Sequence, residues 1–276
     1  MTSDFASQRF ESGRDDAVRR VGMSERVAGQ AVMEKLLVDR KGMPPRSFVG
    51  RVFGADPLTP DNYPWYKAAL GEIAVGKILE RLGPDWTVLH AVPVGAGTSD
   101  IDHVLVGPAG VFTLNTKNHA GQSVWVAGRT LMVSGKKQRH LYNAGHEAAR
   151  ASKLLTREVS ATVAVTGVVV VVAPKSLAVR ERPRDVAVVT ERQLLRWLSD
   201  RPNVLTPGQI SALTAASIRP GTWHRDPPPA VDPAFVLHEF TGLRSLVDSA
   251  RRRRAGWLLA LLLGAPLILS TLSAHF

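Results

Sequence analysis

The sequence contains no cysteine. That absence excludes disulfides, thiol nucleophiles and cysteine-ligated zinc, and it fits a reducing compartment. The opening stretch MTSDFASQRFESGRDDAVRR has no apolar run, so no secretory signal is read there. No internal repeat is visible. The glycine-containing GAGTSD at 95–100 lacks the lysine and the following helix of a phosphate loop, and no serine stands in the context of a catalytic nucleophile. Acidic residues are outnumbered, 24 Asp and Glu against 35 Lys and Arg, leaving a net charge of +11. A surface of that sign favours polyanions, either nucleic acid or acidic lipid head groups.

What is present divides into five segments. With 276 residues and 45% hydrophobic content, the chain supports one medium core with extensions. Residues 1–63 form an N-terminal extension, expected to be partly disordered or helical. Within it, SERVAGQAVMEKLL reads as an amphipathic helix capped by Ser24. Residues 64–200 hold the core domain, and 201–225 a helical extension in which Thr206 is the N-cap and Pro207 the first helical residue. Residues 226–254 read as a proline-rich and basic juxtamembrane linker. The last segment, 255–276, is apolar, with His275 its one titratable side chain, and follows Arg251–Arg254. About 20 such residues span a bilayer, so a C-terminal transmembrane helix is expected, with a buried core helix as the alternative. The preceding arginines would place the N-terminal bulk in the cytoplasm, making the protein a single-pass membrane protein, and would lie at the anionic leaflet surface.

The core segment alternates its periodicities. YKAALGEIAVGKILERLG spaces Leu70, Ile73, Ala74, Ile78, Leu79 and Leu82 as a helix does, and Gly83-Pro84 stops it. WTVLHAVPV is a strand. DIDHVLVGPAGVFTLNTK is a hairpin, and SVWVAGRTLMVSG a further strand pair. A second helix follows, with Ala148, Ala151, Leu154 and Leu155 on one side, and then VAVTGVVVVVAPK, a β-branched run typical of a strand buried on both faces. Helix, three strands, helix, strand is the order of a mixed α/β sheet with helices on its faces.

The hairpin carries charge where a core hairpin wants none. If Gly107 stands opposite Gly110, stepping outward places Asp102 opposite Asn115 and Asp100 opposite Lys117. Side chains alternate with period two, so these four share a face, while Ile101, His103, Leu105, Phe112 and Leu114 occupy the other. Carboxylates, an amide oxygen and a lysine at one end of two strands suit a hard divalent cation that keeps several waters. Such a cation stabilises charge on a phosphodiester, and the lysine orients water. Glu72, next to Gly71 on the first helix, is a further candidate ligand. His103 and His119 are possible ligands too, although a lone histidine on a strand is more often structural. The plainer readings are a cross-strand ion pair between Asp100 and Lys117, and a turn-capping role for Asp102.

With GE at 71–72 and DIDHVLVGPAGVFTLNTKNHAG at 100–121, the chain resembles the nuclease-related domain (NERD), which is similar to the PD-(D/E)XK restriction-endonuclease-like superfamily. The resemblance covers about residues 65–175. It implies a restriction-endonuclease-like α-β-β-β-α-β core, Mg²⁺ or Mn²⁺ as cofactor, and hydrolysis of DNA or RNA, with no small-molecule cofactor. Carried onto this sequence, Glu72 and Asp102 would bind metal, Lys117 would be the catalytic lysine, and Asn115 stands where the family pattern usually has glutamate. Asp100 can compensate for the missing charge, with His119 a secondary candidate. Lys136, Lys137 and Arg139 form a basic segment suited to phosphate contacts. The expected function is a membrane-anchored, metal-dependent nuclease. The alternative is a catalytically degenerate nucleic-acid-binding or scaffolding module.

Overall fold

The computed structural model describes residues 18–19, 21–95, 97, 99–226 and 230–273, with side chains described up to residue 263 except those of residues 18 and 19. The start of the expected N-terminal extension, the prolines at 227–229 and the last three residues lie outside the described residues.

In chain order the elements are β1 Val18–Arg19, α1 Gln30–Arg40, α2 Phe48–Phe53, α3 Tyr63–Leu79, β2 Thr87–Pro93, β3 Asp100–Gly107, β4 Gly110–Asn118, β5 Ser123–Ala127, β6 Thr130–Val133 and β7 Lys136–Gln138. They continue with α4 His140–Val159, β8 Val165–Val172, β9 Ser176–Glu181, β10 Val186–Thr190, α5 Leu194–Ser199, α6 Pro207–Ser217, α7 Pro220–Trp223, β11 Ala230–Val231 and α8 Pro233–Ser273. The main sheet has the order β10-β8-β4-β3-β2, a second sheet the order β7-β6-β5-β9, and β1 with β11 forms a two-stranded ribbon. The α-β-β-β-α-β order is present as α3, β2, β3, β4, α4 and β8, with β5–β7 set between β4 and α4. Strands β2, β3 and β4 are an antiparallel meander, whereas β8 and β10 run parallel to β4 and to each other. The mixed α/β expectation holds, distributed over two sheets rather than one.

The chemistry of each strand explains its place. Val168–Val171 are fully buried, as a central strand covered on both faces requires. On one face, Leu105, Phe112, Leu114, Val168 and Val170 pack with Val75 and Leu79 of α3. On the other, Val169 and Val171 pack with Ala144 of α4, and Val104, Val106 and Val111 with its Ala151 and Leu155. Gly167 permits the α4 contact, since an added Cβ would stand 2.7 Å from the Ala144 carbonyl.

Helix α3 is sandwiched. Its second face meets α1 and α8, where Met33, Leu36, Tyr66, Ala69, Phe240 and Val247 form a separate cluster. Residues 30–40, grouped from sequence with a loosely packed extension, are therefore part of the core. The helix begins after Gly29, whose φ is +79°, and not at Ser24, which lies in a 3₁₀ turn. Helix α6 starts as its sequence dictates, with Thr206 and Gln209 forming a reciprocal capping box.

The C-terminal segment requires a correction. Residues 233–254, read as linker, are the first half of α8, and Val236, Phe240, Leu243, Val247 and Ala250 are buried along it. The arginines assigned to a lipid surface bond to the protein instead. Arg253 donates to the Arg51 carbonyl, and Arg254 pairs with Asp56 at 3.0 Å. No helix among the described residues is long and apolar enough to cross a membrane. The expected transmembrane helix at 255–276 is thus not supported, and neither is the membrane-anchored localisation with a cytoplasmic domain that rested on it. The sequence window looked like a span because it was read apart from the docked, charged helix that leads into it.

Candidate metal centre

The site forms where the sheet opens. Strands β3 and β4 pair from Gly107 opposite Gly110 outward to His103 opposite Leu114, the register expected from the turn. Beyond that point they diverge. Strand β3 stays with β2, ending at Asp100 opposite Pro93, while β4 stays with β8 as far as Asn118 opposite Val172. The gap is spanned by a side chain, with the Thr116 N–H donating to Asp102 Oδ2 at 2.6 Å. Asp102 thus has a structural duty, a bridge between the parted strands and not the turn cap weighed from sequence. Asp100 and Lys117 are not strand partners, since each pairs with a different neighbour strand.

Helix α3 delivers Glu72 to this opening. Gly71 lets the helix lie close to β4, since a Cβ there would sit 3.1 Å from Asn118 Cβ and 3.4 Å from Thr116 Cγ2. The Asn118 side chain also donates to the Lys67 carbonyl at 2.9 Å, tying strand to helix. Gly71→Ala gains helix propensity of about 1 kcal/mol but crowds an inflexible Cβ, at a typical cost of about 1–3 kcal/mol. The expected outcome is a small net loss of stability and a clear loss of divalent-cation affinity, read by thermal unfolding and by calorimetric titration. Unchanged affinity would show that the closeness of α3 does not set the position of Glu72.

The carboxylates of Glu72, Asp100 and Asp102 come together with ligand atoms all within 4.8 Å of one another. Glu72 is buried and the two aspartates are partly exposed. Burial pushes the Glu72 carboxyl well above its ordinary range, and the negative charges of Asp102 and Asp100 push it further. Burial and Asp102 raise Asp100 to about 7. Asp102 is also raised by burial, although Lys117 and the Thr116 N–H oppose the shift. The positive charge of Lys117 likewise favours the charged forms of Glu72 and Asp100.

Asn115 is near, with one half of its amide engaged. Its amide donates to Glu147 Oε1 on α4 at 2.7 Å, and its carbonyl oxygen is buried with no partner. Glu147, which the sequence reading missed, is raised to about 7 by burial first and by Asp102 next, while Lys117 acts against the shift. A carboxylate absent from position 115 thus reaches the same neighbourhood from α4. Glu147 lies three residues after Ala144 and four before Ala151, both buried against the sheet, and that spacing is its one sequence signal. His119 turns elsewhere, with Nε2 3.0 Å from His140 Nε2 and Nδ1 3.2 Å from Gln122 Oε1. His103 is fully buried beside His90, with an Nδ1 to Nδ1 distance of 2.8 Å. Lys136 and Lys137 are exposed on β7, and Arg139 precedes α4.

Buried oxygens of this site that have no hydrogen-bond partner include Glu72 Oε2, Asn115 Oδ1 and Glu147 Oε2. Orphaned acceptors of this kind carry a desolvation cost, and a hard cation with oxygen ligands relieves it. The donor set fits a divalent metal and does not specify which.

Comparison with known proteins agrees with this geometry. The family model described as "Nuclease-related domain" (NERD) matches residues 67–172, from the α3 helix that bears Glu72 to the end of β8. An uncharacterized protein of Bacillus anthracis is 38% identical over 71 residues, covering 24% of this chain and 32% of that protein. The match therefore spans about a third of that relative's length. No solved structure matches. Residues 67–172 are a nuclease-related domain, of the restriction-endonuclease-like superfamily.

Proposed function

We propose that this protein hydrolyses phosphodiester bonds of DNA or RNA with a divalent cation, Mg²⁺ or Mn²⁺, held by Glu72, Asp100 and Asp102. The observation that carries the reading is the convergence of these three carboxylates within 4.8 Å, beside a lysine and among orphaned oxygens. A bound divalent cation supplies Lewis acidity that offsets charge building on the phosphoryl group. Lys117 holds and orients water by donating to it, and its fixed positive charge meets the developing negative charge. Asn115 positions Glu147 by the 2.7 Å hydrogen bond. With a pKa raised to about 7, Glu147 is suited to accepting a proton from that water near neutral pH. Lys136, Lys137 and Arg139 supply phosphate contacts that position the strand without reading its sequence.

The neutral amide at position 115 favours a second reading, a binding module that has lost hydrolysis, because ligand charge sets much of the affinity for hard cations. Incubating the full chain with plasmid and with single-stranded DNA and RNA, with EDTA, Mg²⁺ or Mn²⁺, separates the two. Cleavage that requires the cation is the expected outcome. Salt-dependent binding with no cleavage under either cation establishes the module instead.

A further inference from the structure

We infer that the exposed ring of Tyr142 is a base-stacking platform, so that the site just proposed takes single-stranded nucleic acid, or an unpaired stretch of it, in preference to duplex. The inference rests on the proposed function for the partner's identity and on a separate set of residues for its argument. Tyr142 lies in the first turn of α4 and is 63% exposed. Its ring is already arranged for stacking. The Arg139 guanidinium sits 4.8 Å from the ring centroid, and the His146 ring lies nearly parallel, 19° away in plane with centroids 6.3 Å apart. Arg139 and His146 therefore flank a ring that stays mostly exposed.

The surroundings fit a polyanion. Lys136 and Lys137 precede Arg139 on the exposed edge strand β7, the first turn of α4 has no acidic residue, and Arg150, one turn beyond His146, lies over Gly95. Glu147 follows His146 directly and faces inward to Asn115, so platform and carboxylates share one helix. Tyr142 and Glu147 differ by about 7.5 Å along the axis and by about 140° around it, so the ring lies on the outer face of the helix whose inner face bears the carboxylate. In a duplex both faces of each base are already stacked on neighbours, so the ring has nothing to receive. A peptide partner would draw little from a cationic aromatic ledge of this kind, whereas stacking with flanking arginine is the mode of sequence-tolerant single-strand binding.

The test measures binding by the full chain in EDTA, where no cleavage occurs. Fluorescence anisotropy would follow a labelled oligothymidylate and a labelled duplex at one fixed salt concentration, for wild type, Tyr142→Ala and Tyr142→Phe. Tyr142→Ala should weaken single-strand binding by about 5- to 100-fold, the range expected for one stacked base. Tyr142→Phe should stay within about twofold of wild type, and duplex binding should not change. Equal affinity of wild type and Tyr142→Ala for the single strand overturns the inference, as does an equal loss on duplex. Metal-dependent cleavage with an indifferent Tyr142→Ala defeats the platform alone. Single-strand binding that needs Tyr142 without any cleavage defeats hydrolysis alone.

Discussion

Lys117→Met should lower cation-dependent cleavage on the order of 10²- to 10³-fold, the usual loss when one preorganised charge is removed, while leaving divalent-cation binding intact or tighter. Asp102→Asn should lower cleavage as much and weaken cation binding as well. The difference follows from where each charge sits. The charge of Lys117 favours the ionised forms of the carboxylates, so it repels a cation placed among them and attracts negative charge building on a substrate. Asp102 supplies an oxygen to the carboxylate cluster. Asparagine at 102 can still accept from the Thr116 N–H, which preserves the bridge across the parted strands. The loss in that variant is then chemical and not a collapse of the sheet. Cleavage rates together with calorimetric titration of Mn²⁺ check both variants. Parallel loss of cation binding in the two would show that Lys117 supports the cluster structurally and does not act on substrate.

That contrast also shows what was legible in the sequence. The hairpin register followed from Gly107 and Gly110 because a tight turn admits few pairings, and the buried β8 announced itself by its valines. The gathering of Glu72 with Asp102 followed from the family pattern. Asp100 was named only as a reserve, because the straight-hairpin picture set it opposite Lys117. The strands in fact part beyond His103 and Leu114, and a splay depends on β2 and β8 competing for the two strands, which local pattern does not reveal. Glu147 was missed because a glutamate on a helix reads as solvent-facing until the helix is placed on its sheet. The packing of α1 with α8 was equally hidden. It rests on the cluster that Met33 and Leu36 form with Phe240 and Val247, at opposite ends of the chain, and treating 226–276 as linker and span followed from that gap.

The metal-free protein should lose stability as pH rises from about 6.5 to 8.5, and a saturating divalent cation should reverse the loss. The sign follows from the carboxyl groups. Asp100 and Glu147 are raised to about 7 in the folded state, and Glu72 is raised well above its ordinary range. The folded protein holds these protons more tightly than the unfolded chain does. Their stabilising contribution is complete below ordinary carboxylate pKa values and is lost as pH climbs through 7. The buried histidines act in the opposite direction and in a different window. His90 and His140 are lowered to about 4, mainly by burial, so their contribution is present above about 6.5 and lost as pH falls towards 4. The interval above 6.5 therefore isolates the carboxylates. A cation at 100 times its Kd contributes about 2.7 kcal/mol, which at about 2–4 °C per kcal/mol for a chain of this size raises Tm by about 5–11 °C. Asp100→Asn should flatten the metal-free decline, raise Tm at pH 8 and reduce the cation-induced gain. Thermal unfolding across this range, with EDTA and with Mg²⁺, reads all three effects. If Asp100→Asn declines with pH as steeply as wild type and gains as much from Mg²⁺, then the three carboxylates do not share one cation.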